Sequence, residues 1–256
     1  MKINRIDIPK KVLIEMDSDE RAFLLLIGHV QNEINSLNKV FTWCLNNSKS
    51  GKSSAEGLAD GMQAMIYARL LAGKLCETWE VLRKYYFATK LSQRVDSKLP
   101  LESEKALTSL KLYFGKSNLI HQVRNSFAFH YSAEQFESNW EGAADEGDLS
   151  IILGRTIGNN LSIAGELVAN RALLNHGDSK SLPDGFTKFF DDIHSISSCF
   201  TDFAEGVTIV ILRSRMGENL ESFAVEEEIA SLLNYEDVCI PFFVNPVSRS
   251  NSNKGT

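Results

Sequence analysis

Apolar residues recur along this chain at helical spacing far more often than at the alternation expected of strands. Phe23, Ile27, Val30, Ile34, Leu37, Phe41 and Cys44 follow a 4-3-4-3-4-3 rhythm, which predicts one long amphipathic helix to about Asn47. Asp17-Ser18-Asp19-Glu20 supplies its start, with Asp17 as cap and Glu20 positioned to close a capping box. A polar loop, residues 46–54, follows; its Gly51-Lys52-Ser53 lacks the first glycine and the preceding strand of a phosphate loop.

A second long helix is expected from about Ala55 to Arg94, its inner face carrying Gly61, Met65, Ala68, Ala72, Leu75, Trp79, Leu82 and Tyr86. Met62, Ile66 and Leu70 lie on the other side, so its first half should be covered on two faces. Pro100 marks a break, a shorter helix spans Glu102 to Phe114 before Gly115, and Ser117 or Asn118 caps a helix running to about Trp140. Leu119, Val123, Phe127 and Tyr131 would be its buried stripe.

The stretch 142–148 reads as an exposed acidic loop, and Leu149 to Leu153 as a strand. Helices follow from Leu161 to His176 and from Pro183 to near Met216; residues 221–233 are ambiguous. Val238 to Val244 reads as an extended edge segment, since Pro241 cannot donate to a sheet. The pattern predicts an all-α fold: an antiparallel helical bundle with two long N-terminal helices and one or two short peripheral strands. Residues 12–216 form the bundle, and 217–256 a C-terminal appendage ending in a disordered tail.

With 256 residues, 43% of them hydrophobic and 23% charged, the chain can bury a large core. The N-terminus lacks a signal-peptide apolar run, and no segment reads as the ~20 apolar residues that cross a bilayer. Cys44, Cys76, Cys199 and Cys239 show no metal-ligand spacing and read as reduced core thiols, so a cytoplasmic protein with no membrane, metal or cofactor requirement is expected. Net charge of −6 argues against non-specific coating of nucleic acid. The charge is uneven, however: from Arg83 to His130 nine basic residues face three acidic ones. A phosphate-bearing ligand would be drawn there.

That basic segment contains Val123-Arg124-Asn125-Ser126-Phe127-Ala128-Phe129-His130-Tyr131. Arg presents a fork of donors matched to a phosphate, and His exchanges protons near neutral pH. Arg171 to His176 is a second Arg-to-His run, five positions apart where the first is six, but His176 precedes Gly177 at an expected helix end and reads as a cap. The first run resembles the R-N-x4-H motif of the HEPN superfamily, helical-bundle proteins that include many RNA-cleaving toxins and phage-defence factors.

The resemblance implies a metal-independent endoribonuclease acting on RNA of tRNA or mRNA type. His130 would be general acid/base toward the 2′-hydroxyl, Arg124 the stabiliser of the scissile phosphate, and Asn125 the residue orienting the motif; a protein inhibitor would hold a toxin in check. Lys116, His121 and Tyr131 flank the motif as candidate RNA contacts. On one straight helix Arg124 and His130 stand ~120° out of phase and ~9 Å apart along the axis. A bend near Phe129-His130, or a homodimer joining two motifs, would bring them together, and the resemblance implies the dimer. The alternative function is a non-catalytic helical RNA- or protein-binding module. In that reading Arg124 pairs with a carboxylate on a neighbouring helix and His130 is a core histidine.

Overall fold

The computed structural model describes residues 1–48, 54–125, 132–156, 158–175 and 182–245. The chain is 73% helical, which makes the fold all-α. In order come β1 (Lys2–Ile6), α1 (Lys10–Glu15), α2 (Ser18–Ser48) and α3 (Ser54–Leu82), which passes into a π-helical turn at Arg83–Phe87. Then follow α4 (Leu91–Val95), a 3-10 turn at Asp96–Lys98, α5 (Leu101–Phe114), α6 (Leu119–Val123) and α7 (Ala133–Glu146). The rest comprises β2 (Ile151–Ile152), β3 (Leu161–Ser162), α8 (Ile163–Asn175), α9 (Leu182–Met216) and β4 (Ala224–Glu228).

The apolar rhythm of α2 is a core seam. Phe23, Ile27, Ile34, Phe41 and Cys44 are buried against α3 and α9. From α9, Phe189, Ile193, Phe200, Phe203 and Val207 enter the same core, so the β-branched run 207–212 is helical as its periodicity suggested. Burying each such side chain contributes about 1.5–3 kcal/mol. Length and composition alone would let α9 cross a bilayer, at a mean hydropathy of 1.4, contrary to the sequence reading. In this fold, 56% of that apolar window is buried.

The first half of α3 is covered on two faces, as its pattern implied. Met65 and Ala68 join the main core, while Ala59 and Met62 join a smaller cluster with Leu161 and Ile163. The helix does not run to Arg94. It ends at Phe87, where Ala88 N–H bonds back to Arg83 O over 3.1 Å and the Thr89 hydroxyl donates to the carbonyls of Tyr85 and Tyr86. The same Oγ1 accepts from Leu91 N–H, so one threonine closes one helix and opens the next.

α5 lies against α9 at very short range. A Cβ on Gly206 would collide with Ser103 Oγ and stand 2.6 Å from Ser103 Cβ. The closeness lets Ser103 Oγ donate to Asp202 O at 2.8 Å. α9 stops at Gly217, whose φ of +107° is left-handed backbone and whose N–H bonds Arg213 O at 3.0 Å.

Other expectations are corrected. The helix beginning at Asn118 does not continue to Trp140: Ser132 is extended backbone, its hydroxyl capping the new helix α7 through Gln135 N–H. Residues 142–146 are therefore the end of α7, with Ala143 buried, and not a loop. The outward face of α7 holds the acidic residues, which made it look like solvated chain. Glu20 closes no capping box, because both its oxygens accept from Arg215, at 2.9 and 2.6 Å.

Four short strands occur among the described residues, beyond the one or two expected. β2 pairs with β3, and β1 with β4, both antiparallel. The segment 238–244 forms no strand; Phe242 N–H bonds Asp60 Oδ1 and Val244 N–H bonds Asn159 Oδ1. Of the cysteines, all free, Cys44 and Cys76 are buried, but Cys239 is exposed and is no core thiol.

Two predictions follow from this packing. Gly206→Ala should destabilise by about 1–3 kcal/mol, the usual cost of overpacking, measured by urea denaturation. Ser103→Gly in that background should recover more of the loss than Ser103→Ala, because alanine removes the Oγ and leaves the Cβ in the way. Burial pushes the Cys44 thiol from 9.0 up to about 11, and likewise Cys76. A raised folded-state value means that the stability they contribute is present below pH 9 and lost towards pH 11. The urea midpoint should fall across that window, less steeply in a Cys44→Ala, Cys76→Ala variant.

Candidate functional site

α6 is a single short turn of helix that presents the arginine-asparagine pair at its end. Asn118 caps it, accepting from His121 N–H at 2.8 Å, while Leu119, Ile120 and Val123 anchor it in the core. Leu119 and Val123 thus occupy the buried stripe foreseen for them. The backbone then widens into a π-type turn at Arg124 and Asn125. Such turns insert an extra residue and re-aim side chains, and they are common at functional sites.

Arg124 is half-buried, and its guanidinium has three engagements. Nε donates to Glu77 Oε1 at 2.9 Å, Nη2 lies 2.8 Å from the same oxygen, and Nη1 donates to Asn125 Oδ1 at 2.9 Å. Asn125 Nδ2 in turn lies 3.4 Å from His121 Nδ1. A line of polar groups therefore runs Glu77–Arg124–Asn125–His121 along the surface between α3 and α6. Asn125 thus links the arginine to the imidazole of His121. The arginine's charge also reaches Cys76, opposing the upward push that burial gives that thiol.

Lys116, just before α6, and His121, on it, are both exposed, and the Lys116 carbonyl accepts from Asn118 Nδ2 at 3.0 Å. His130 and Tyr131, the remaining members of the candidate site, lie outside the described residues, as does His176 of the second match. The structure therefore brings together Arg124, Asn125 and His121. At Arg124 and Asn125 the helix is of π type, and the path from there to His130 lies outside the described residues.

Glu77 is the residue that sequence reasoning did not single out. It lies 47 positions from Arg124 and carries no local signal, being one more charge on a long helix. A carboxylate on a neighbouring helix is, however, the partner that a structural role for Arg124 requires.

Most of the basic residues of 83–130 are partnered by acids. Arg83 pairs with Glu80, Arg94 with Asp17, Lys105 with Glu102, and Lys111 lies 3.9 Å from Asp96. Among the described residues, Lys84, Lys90, Lys98 and Lys116 have no ion-pair partner. Local excess charge is therefore carried by a few lysines.

No family model matches the chain, and no curated protein or solved structure matches it either.

The Arg124–Glu77 pair is open to solvent, so it should contribute little to stability, on the order of 0–1 kcal/mol. Arg124→Gln is expected to shift the urea midpoint only slightly, whereas Val123→Ala, cutting into the core beneath it, should cost about 0.5–3 kcal/mol.

Proposed function

We propose that this chain is a metal-independent endoribonuclease of the HEPN type, built on an antiparallel helical bundle whose long N-terminal helices are α2 and α3. The observation that carries this reading is the Arg124–Asn125 pair. A half-buried guanidinium, steadied by the amide beside it, stands at a π-type turn on a short capped helix. A phosphate oxygen pair can replace the single Glu77 oxygen that the guanidinium now holds, since both are anionic acceptors for the same fork of donors.

In this mechanism Arg124 binds the scissile phosphate and stabilises the charge that builds on it. His130 takes the proton from the 2′-hydroxyl, whose oxygen attacks phosphorus; the P–O5′ bond breaks, the leaving oxygen takes a proton from water and His130 returns its own to solvent, giving a 2′,3′-cyclic phosphate. Lys116 and His121 contact the flanking RNA backbone. The protein works in the cytoplasm, as a toxin or defence factor restrained by an inhibitor protein, and a homodimer remains part of the proposal on the strength of the motif alone.

A second reading is favoured by one specific contact: Glu77 occupies Arg124 as a structural partner would. Under it the chain is a helical RNA- or protein-binding module that does not cleave.

Incubating the purified protein with RNA in excess chelator separates the two. Cleavage leaving cyclic phosphate ends, reduced ~10²- to 10⁴-fold by His130→Ala and strongly by Arg124→Ala, is expected of the nuclease. Glu77→Gln should preserve or raise the rate, because it frees the arginine from a competing anion. RNA left intact by the wild type, or cut equally by His130→Ala, would sink this reading and leave the binding module.

A further inference from the structure

Two cavities adjoin at the end of the molecule where α2 begins, α4 crosses and α9 finishes. One, of about 200 Å³, is lined by Glu20, Arg94, Lys98, Ser214 and Arg215. Its remaining wall is aliphatic, made by Leu91, Val95, Val210 and Ile211. The other, of about 480 Å³, is lined by Asp17, Asp19, Thr89, Lys90 and again Leu91 and Arg94. The two shared residues make this one cleft with two lobes of different charge.

The smaller lobe has three cations and one carboxylate. Glu20 is almost wholly buried, and both its oxygens are taken by Arg215 through Nε and Nη2. That pair neutralises itself and forms the floor. Donating to Glu20 holds the Arg215 guanidinium more firmly protonated than usual. Arg94 pairs with Asp17, so Lys98 is the one unpaired positive charge left in this lobe. Lys98 is exposed and has no ion-pair partner among the described residues. Arg94 spends only Nη1, on Asp17 at 3.1 Å and near Glu20 at 3.4 Å, so Nε and Nη2 are open to another acceptor. An unpaired ammonium beside the open edge of a guanidinium matches a phosphate monoester.

The larger lobe is different, offering the Asp17 and Asp19 carboxylates as acceptors next to Lys90. Carboxylates accept hydrogen bonds from hydroxyl groups. We propose that this cleft binds a small sugar phosphate, the phosphate held by Arg94 and Lys98 in the smaller lobe and the polyol by Asp17 and Asp19 in the larger. The site lies at the start of α2, on α4 and the 3-10 turn after it, and at the end of α9, none of which contributes a residue assigned to RNA cleavage, so it stands whether or not the chain is a nuclease.

Calorimetric titration of the full chain with ribose 5-phosphate, inorganic phosphate and ribose tests this assignment. Ribose 5-phosphate should bind more tightly than inorganic phosphate, because it fills both lobes, and ribose alone should bind far more weakly than either. Lys98→Glu, a change at an exposed residue without a partner, should weaken ribose 5-phosphate about tenfold or more, the scale of one charge-assisted hydrogen bond. Asp19→Asn should reduce the advantage of ribose 5-phosphate over inorganic phosphate. Lys116→Glu and Arg124→Ala, at the α6 site, should leave binding unchanged. Heat signals absent at millimolar ribose 5-phosphate, or identical for wild type and Lys98→Glu, overturn the proposal. So does binding of a 5′-phosphorylated oligoribonucleotide without binding of ribose 5-phosphate, which would make the cleft a strand-end site.

Discussion

The fold turns on a buried phenol. Tyr86 is fully enclosed, its ring packed against Phe23 of α2 and Phe203 of α9 at centroid distances of 5.1 and 5.2 Å. A hydroxyl in such a place must find an acceptor, and Asp96 provides it at 2.5 Å. Burial first, and then that bond and its charge, push the Tyr86 ionisation well above the ordinary tyrosine range. One residue thereby ties α2, α3 and α9 to the turn after α4. The π-helical turn at Arg83–Phe87 is what lets successive aromatics serve this centre, because Phe87 also packs edge-on to Trp79 while Tyr86 faces inward. The break at Thr89 then returns the chain so that Asp96 arrives beneath the phenol.

The sequence was most legible where a single face is buried over many turns. The seam of α2 and the aromatic ladder of α9 declare themselves, because each apolar position has the same destination. α3 was misread at its C-terminal end for an instructive reason: Ala88-Thr89-Lys90 holds neither glycine nor proline, and the stop is made by a threonine hydroxyl reaching backward. Only the last turn of α7, 142–146, was hidden by its composition. Ala143 and the buried Asn139 mark an inward face, but the acidic residues on the other side dominate the local sequence. Pairing of β1 with β4 joins segments more than 200 positions apart, and neither alternates strongly enough to announce a strand.

The candidate site was legible in part. Arg124 and Asn125 stood out by their chemistry, and their contact is present at 2.9 Å. The cap at Asn118 was visible as well. Glu77 was not, since an ion pair between helices depends on how they are rotated against each other, which no local pattern encodes. The widening of the helix at Arg124 was equally hidden. A π-type turn needs one inserted residue and no special amino acid, so the periodicity on which the phase argument rested simply does not extend through it.

The β1–β4 ribbon gives the chain a mechanical character. Lys2 faces Glu228 and Ile6 faces Ala224, so the outer ends of the two strands lie together, with the Met1 ammonium donating to Ile229 O just beyond them. A load applied between those ends pulls across the ribbon and parts its bonds one after another, as a zip opens. The salt links Lys2–Glu226 and Arg5–Glu227 would release in sequence along with it. The helical core behind would feel tension only after the ribbon had opened, so the molecule would yield softly at its clasp first and resist at its interior afterwards.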